Sequence, residues 1–305
     1  MLKTTEVARL AKLSQTAFLT SMIALGCLSA PEALAKKSAP KAKAKSQSSK
    51  LVPGTDAYKA YHAVRDGSKA LLFNQPKKAM EEFNEALRLK PDYALAYADR
   101  ANAHMVMGDK KSALADCNKA ISLDPNLAVA YVNRSWVYNS VRQFEKALED
   151  CNKAISLDKS ITLAYTNRAH AHNKLGNHKE ALEDCNKVIK INPDFATAYL
   201  NRSHTYIGLG EFNKAVEDAT RAIALNPDSA KGYLNRGHAY RELKEYDKAL
   251  ADIDKALTMH KGLASAYYNR SRIYEAMAGA DMDKAKKLGF VVKSDKADDD
   301  KDDEE

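Results

Sequence analysis

Small apolar residues recur along this chain at a fixed interval. This interval, called the period below, is the number of residues from Ala79 to Ala113. One series is an alanine that returns once per interval, at Ala79, Ala113, Ala147, Ala181, Ala215 and Ala249. A second small residue follows in each interval, at Ala86, Ala120, Ala154, Val188, Ala222 and Ala256. Small side chains at fixed places are expected where two helices approach closely. The period therefore predicts a solenoid of helical hairpins, in which each unit buries its apolar face only against its neighbours.

Prolines and glycines mark the ends of the predicted helices. The second helix of a unit ends at Pro91, Pro125, Pro193 and Pro227, with Lys159 and Lys261 at that place in the other two units. Proline lacks an N–H and clashes with the preceding turn, so it separates one hairpin from the next. Glycines that allow positive φ lie at the turn inside a hairpin, at Gly108, Gly176 and Gly210. The predicted array covers 56–290, with full units at 60–93, 94–127, 128–161, 162–195, 196–229 and 230–263 and a partial or capping unit at 264–290.

A polar and aromatic motif, Tyr-x-Asn-Arg, accompanies the apolar pattern on the first helix of every unit after the first. It begins at Tyr131, Tyr165, Tyr199, Tyr233 and Tyr267, and at Tyr97 in a variant with Asp99 in place of Asn. Together with the small positions and the prolines, these residues resemble the tetratricopeptide repeat, which has aromatics at positions 4 and 11, a small residue at 8, Ala at 20 and 27 and Pro at 32. The chain departs from that pattern with Arg at position 7 and with Cys or Ala at position 24 of units two to five. The resemblance implies an all-α, right-handed α-solenoid superhelix that binds other proteins.

The position-7 arginines each have an acid about half a period upstream. The first unit has no preceding hairpin and no such arginine, which favours a bridge between adjacent units. A guanidinium is suited to bidentate contact with a carboxylate. We therefore expect a ladder of inter-repeat ion pairs, formed by Glu82–Arg100, Asp116–Arg134, Asp150–Arg168, Asp184–Arg202, Asp218–Arg236 and Asp252–Arg270.

The asparagines of the motif are the predicted contact with a ligand. Asn is a mediocre helix former, so its return in five units indicates a specific role. In the resembled family this position lines the concave groove, and an amide can both donate to and accept from a peptide backbone. The predicted peptide-binding residues are Asn133, Asn167, Asn201, Asn235, Asn269, Trp136, His170, His204, His238, Lys231 and Arg241. The alternative is that the asparagines only cap local backbone or face solvent.

Sequences outside the array bear on location. Residues 1–35 have the features of a signal peptide: Lys3, Arg9 and Lys12, an apolar run over 17–30, and an A-x-A site at 33–35. Residues 36–55 form a basic Lys/Ala/Ser/Pro linker and 291–305 an acidic tail, both expected to be disordered. We expect an exported protein of the periplasm or outside the cell; an uncleaved membrane anchor or an organellar location is the alternative.

The remaining chemistry favours binding over catalysis. Cys117, Cys151 and Cys185 are one period apart, which is too far for a disulfide and unlike metal-ligand spacing, so buried apolar roles are expected. The sequence shows no nucleophile–base pattern and no phosphate-binding loop. The net charge of +8 includes six lysines in the linker and is weak evidence for nucleic-acid binding. We expect no enzyme activity, cofactor or metal, and a scaffold for protein or peptide partners in a bacterial cell envelope. The alternatives are a cytosolic or organellar co-chaperone and a surface tether that acts through the linker.

Overall fold

The computed structural model describes residues 52–288, which form thirteen α-helices and no strand. In chain order these are α1 (Asp56–Leu72), α2 (Pro76–Leu89), α3 (Ala94–Val106), α4 (Lys110–Leu123), α5 (Ala128–Ser140), α6 (Phe144–Leu157), α7 (Thr162–Lys174), α8 (His178–Ile191), α9 (Ala196–Gly208), α10 (Phe212–Leu225), α11 (Ala230–Glu242), α12 (Tyr246–Met259) and α13 (Ala264–Lys287). The predicted all-α solenoid is confirmed. The predicted signal peptide, the linker up to residue 51 and the acidic tail lie outside the described residues.

The helices alternate between two layers of the solenoid. Each odd-numbered helix packs against the even-numbered helix that follows it and against the next odd-numbered helix. Within residues 52–288, successive even-numbered helices pack against each other less closely than successive odd-numbered helices do. Equivalent helices approach most closely on the inside of a curved stack, so the odd-numbered helices line its concave side. We call them the inner helices, and the even-numbered ones the outer helices.

The turn inside each hairpin requires a left-handed residue at one position of the repeat. Gly108, Gly176 and Gly210 adopt φ of 84°, 80° and 75° there, which confirms the role predicted for these glycines. The first hairpin places Asn74 in the same conformation, with φ of 55°, and two others place Arg142 and Lys244 there, with φ of 63° and 62°. A side chain at positive φ is strained relative to glycine, so these turns form because the flanking helices pack well enough to impose the conformation.

The core between the layers is narrow because small residues fill it. The six alanines of the first series are fully buried, as are Ala86, Ala120, Ala154, Val188 and Ala256. Cys117, Cys151 and Cys185 are buried free thiols, which confirms their predicted role as small core residues. Burial raises the pKa of Cys151 and Cys185 to about 12. Because the small residues let the helices pack closely, the polar side chains of the inner helices can reach the backbones of neighbouring helices.

Candidate functional site on the inner helices

The position-7 arginine joins both helices of its own hairpin. Nε and Nη2 of Arg168 donate to the two carboxylate oxygens of Asp184 at 2.9 and 2.7 Å. Its Nη1 donates to Asn152 of the preceding outer helix at 2.7 Å, and its guanidinium lies 5.5 Å from the ring centre of Tyr165. The hydrogen bonds to Asp184 raise the pKa of Arg168. One side chain therefore ties together an inner helix, its own outer helix and the outer helix before.

The same arrangement recurs, and it corrects the predicted pairing. Each arginine was expected to bridge to the acid about half a period upstream, but every such acid after Glu82 pairs with the arginine of its own hairpin. The observed ion pairs within a hairpin are Arg100–Asp116, Arg134–Asp150, Arg168–Asp184, Arg202–Asp218 and Arg236–Asp252. The contact with the preceding hairpin goes instead to Asn84, Asn118, Asn152, Asn186 and Thr220.

The geometry of an antiparallel hairpin explains the correction. Positions 7 and 23 of a repeat are equally far from the turn residue at position 15, so the two helices bring them opposite each other. Glu82 occupies position 23 of the first repeat, where position 7 is Asp66, and Asp66 contacts Arg65 at 3.1 Å. In the last unit the corresponding acid is replaced by Lys286, and Arg270 contacts Asp254, not Asp252, at 2.8 Å.

The tyrosine of the motif packs between helices and also reaches the preceding turn. Tyr131 and Tyr165 are each 8% exposed. Their hydroxyls donate to the backbone carbonyls of Pro125 and Lys159 at 3.1 and 3.2 Å. Tyr267 is 47% exposed, because no further hairpin covers it within the described chain. The motif tyrosine therefore packs between helices inside the array, as expected, but not in the last unit.

The motif asparagines tie successive inner helices together. Nδ2 of Asn133 donates to the carbonyl of Ala98 on the preceding inner helix at 2.9 Å. The same bond recurs from Asn167 to Val132, from Asn201 to Thr166 and from Asn235 to Leu200, at 3.1 to 3.3 Å. Asn269 donates within its own helix, to Ser265 at 2.8 Å. The amide nitrogens, expected to meet a peptide, already have partners in the fold, while the predicted peptide contact itself stays a prediction.

A second tie between inner helices lies nearer their C-terminal ends. Nδ2 of Asn139 donates to the carbonyl of Asn167 at 3.0 Å, and Nδ2 of Asn173 to that of Asn201 at 3.3 Å. Arg241 occupies the equivalent place, and its Nη1 donates to Oδ1 of Asn269 at 2.8 Å. Arg241 also contacts Glu242. Of the predicted peptide-binding residues, Arg241 is thus engaged with two neighbours.

Position 9 of the inner helices carries the polar side chains least engaged by the stack. His170 on α7, His204 on α9 and His238 on α11 lie at this position and are half-buried; we call them the histidine row. Neither His170 nor His204 makes a hydrogen bond to another residue between 52 and 288. Burial, together with the charge of Lys174, lowers the pKa of both to about 4. At neutral pH these imidazoles are uncharged, so each ring offers one N–H donor and one acceptor nitrogen.

Two exposed lysines flank the histidine row. Lys231 was predicted from its place on the first turn of α11, and it acts electrostatically on His170. Lys174 was missed, although it lies one helical turn after His170 on the same face of α7, a spacing that could have identified it. Neither lysine forms an ion pair with a residue in 52–288.

Trp136 occupies position 9 one repeat before the row, and its surroundings are apolar. It packs against the cluster of α1, α2 and α3 that contains Leu71 and Phe83. Asn102, one repeat earlier still, is 1% exposed, and neither its Oδ1 nor its Nδ2 has a hydrogen-bond partner among the described residues. The inner side is therefore apolar near its N-terminal end and basic and imidazole-rich across α7, α9 and α11.

The inner surface thus presents hydrogen-bonding and cationic groups in a line. The imidazoles and the two lysines lie on three successive inner helices, α7, α9 and α11. No group of three or more residues that could hold a metal ion occurs in 52–288. None of the described helices is long and apolar enough to cross a membrane.

Solved structures share this fold. The chain superposes on the Cut9–Hcn1 hetero-tetramer of the APC/C with a TM-score of 0.65 and 15% identity, over 70% of this chain and 43% of that one. It matches PilW, a type IV pilus biogenesis factor, with a TM-score of 0.59, 15% identity and coverage of 68% and 97%. It matches pilF of Pseudomonas aeruginosa with a TM-score of 0.58 and 16% identity, over 71% of this chain and 98% of that one. A search of curated proteins found no matching relative.

Family models match five consecutive segments of the chain. One tetratricopeptide-repeat model matches residues 94–127, 162–195 and 230–263, and a second matches 128–161 and 196–229. Together they cover 94–263 without a gap, which is more than half of the chain. With its paired helices and its tetratricopeptide-like structural neighbours, the chain belongs to the tetratricopeptide repeat family.

Proposed function

We propose that this protein is a non-enzymatic scaffold that binds peptide or protein segments on its concave face, in the bacterial cell envelope. Membership of the tetratricopeptide family supports a protein-interaction scaffold. The observation that carries the finer proposal is that position 9 of α7, α9 and α11 holds polar rings that make no hydrogen bond to another helix among residues 52–288. The motif residues at positions 4, 6 and 7, by contrast, are engaged in holding the repeats together.

Site-specific photo-crosslinking tests the binding face. A benzoylphenylalanine at His204 lies on the inner side, and one at Lys187 on the exposed side of outer helix α8 is its matched control. Irradiation in an envelope extract is expected to give protein adducts from the His204 position and few from the Lys187 position. Adducts of equal yield from both positions, or from Lys187 alone, would refute binding on the concave face.

The envelope location rests on the sequence of residues 1–35, and it needs its own test. The mature protein is expected in the envelope fraction, with Lys36 as its first residue. A mature chain that begins at Met1 and fractionates with the cytosol would contradict the location and leave the binding face untouched.

A further inference from the structure

The inner helices α7, α9 and α11 form the most basic part of the concave face. Three positions of these helices carry a cation on that side, at Lys174, Lys231 and Arg241. The charge of Arg241 is offset by its contact with Glu242. Lys174 and Lys231 have no carboxylate partner among residues 52–288 and remain exposed. This surface therefore carries two uncompensated positive charges beside two neutral imidazoles.

The third imidazole shows how the row can hold a carboxylate. Nε2 of His238 lies 3.4 Å from Oε1 of Glu242 on the same helix. No equivalent contact exists at His170 or His204, where the residues one turn later are Lys174 and Gly208. The chain supplies a carboxylate to one end of the row and leaves the other two positions open.

Building on the proposed function, we propose that the histidine row with Lys174 and Lys231 binds an acidic segment of a partner protein, and that the histidines take up protons when its carboxylates arrive. Equivalent positions on neighbouring inner helices are about one helix-packing distance apart, roughly 8–10 Å. An extended peptide advances about 3.3 Å per residue. A carboxylate at about every third residue can therefore meet one imidazole per repeat.

The groups around His170 and His204 determine the direction of the coupling. His170 faces Lys174 on its own helix, Lys231 on α11 and His204 on α9, with the ring of Phe144 from α6 at 6.4 Å. His204 faces Lys174 on α7, the imidazole of His178 on α8 and that of His238 on α11. All these neighbours are neutral or positive, so protonation of either histidine is opposed in the free protein.

At the far end of the row, charges of both signs are present. His238 faces Arg241 and Glu242, and burial is the main cause of its lowered pKa. From α13, Arg272 lines the same surface depression as Arg241 and Glu242 and is paired with Glu275 at 2.7 Å. Because Glu242 already favours its protonation, His238 contributes less to the coupling than the other two histidines.

An arriving carboxylate stabilises the protonated form and so raises the pKa of His170 and His204 from about 4 towards the ordinary range. Since the ligand then binds the protonated protein more tightly, its affinity rises as the pH falls through the pKa of the complex. A rise of each pKa to about 6.5 makes the dissociation constant at pH 5.5 about tenfold lower per histidine than at pH 7.5.

Fluorescence polarisation with fluorescein-labelled octa-aspartate and the full-length chain tests the proposal. Wild type is expected to bind at least tenfold more tightly at pH 5.5 than at pH 7.5. The K174A/K231A variant should lose affinity at both pH values, whereas K153A/K187A, which removes the same charge from outer helices, should not. H170Q/H204Q should keep the affinity at pH 7.5 and lose the gain at pH 5.5, and H260Q at an exposed loop position is its control.

Several results would overturn the proposal. They are absence of binding, an equal effect of the two lysine variants, a pH dependence that survives in H170Q/H204Q, or tighter binding of octathymidylate than of octa-aspartate. If deletion of residues 293–305 strengthens probe binding tenfold, the chain's own acids are the occupant, which also overturns it. Circular dichroism verifies the fold of H170Q/H204Q; if it unfolds, H170Q and H204Q alone should each remove about half of the pH dependence.

Failure here is distinguishable from failure of the proposed function. If crosslinking from His204 still captures a partner while octa-aspartate does not bind, the concave face binds segments of other chemistry. If neither occurs, both proposals fail.

Discussion

Removal of a single carboxylate from the arginine network should destabilise the array well beyond the effect of a surface ion pair. In the Asp184→Ala variant, Arg168 loses two charge-assisted hydrogen bonds of 2.9 and 2.7 Å. The Asp184 side chain is 5% exposed and that of Arg168 is 24% exposed, so most of the desolvation cost of the guanidinium remains after its partner is removed.

The loss in the free energy of unfolding can be estimated from the general cost of breaking a buried ion pair and from the contacts that Arg168 keeps. Loss of one partner of a buried ion pair costs about 3–5 kcal/mol. Arg168 retains its bond to Asn152 and its contact with the Tyr165 ring, and part of the guanidinium reaches water. We therefore expect a loss of about 2–3 kcal/mol in the free energy of unfolding. Replacing both partners, in Asp184→Ala/Arg168→Met, removes the uncompensated charge and should cost only about 1 kcal/mol.

Urea unfolding at neutral pH, followed by circular dichroism at 222 nm, measures these values. Fluorescence of the single tryptophan, Trp136, checks that the array unfolds in one transition. Glu85→Ala is the control, because Glu85 pairs with Arg88 at 2.7 Å on an exposed helix surface, and no measurable change is expected.

A double-mutant cycle decides between the observed pairing and the one expected from sequence. Arg168 should couple to Asp184 by more than about 1 kcal/mol and to Asp150 by less than about 0.5 kcal/mol. A loss in Asp184→Ala as small as that in Glu85→Ala would refute the role of the network. Strong coupling to Asp150 instead would restore the inter-repeat ladder.

Three further predictions follow from the turns, the inner side and the histidines. Arg142→Gly should raise the free energy of unfolding by about 1 kcal/mol by relieving a left-handed backbone, while Gly176→Ala should lower it by a similar amount; equal signs in urea melts would contradict this. Asn102→Leu should stabilise by about 1 kcal/mol, because it removes two buried polar atoms without partners, and a lower melting temperature would count against it. The lowered pKa values of His170 and His204 contribute stability above pH 6.5 that is lost as pH falls towards 4, by about 1 kcal/mol each at pH 5.5; unchanged acid sensitivity in H170Q/H204Q would exclude this source.

The fold could be predicted from sequence because its determinants are local and repeated. Alanines such as Ala147, one period apart, fix where helices touch, and glycines such as Gly176 fix where the chain turns. Both constraints act within one hairpin, so a single period specifies them. Arg142 shows the limit of that logic, since tertiary packing imposes positive φ on a residue that the sequence alone does not suggest for it.

The pairing of the arginines could not be read from the period, and this error has a physical cause. Arg168 lies between two acids, Asp150 before it and Asp184 after it, and these two acids are themselves one period apart. Every repeat contains the same ambiguity, so the repeat itself cannot resolve it. The hairpin resolves it, because residues equally far from an antiparallel turn face each other. The asparagines posed a similar difficulty, since a side chain that ties inner helices and one that meets a ligand lie on the same helix face.

Some positions of the repeat are nearly constant along the chain and others vary. This difference distinguishes the positions needed for stacking from those available for recognition. Positions 4, 6 and 7 repeat nearly unchanged, and the structure gives each a partner on a neighbouring helix or turn. Position 9 lies on the same inner helices and changes along the array: Ser68, Asn102, Trp136, His170, His204, His238 and Arg272. A requirement of stacking would act equally on every repeat and would yield the same residue at each. The residue at position 9 therefore follows a requirement that differs from one repeat to the next along the concave face. That is the property expected of a surface matched to a ligand that spans several repeats.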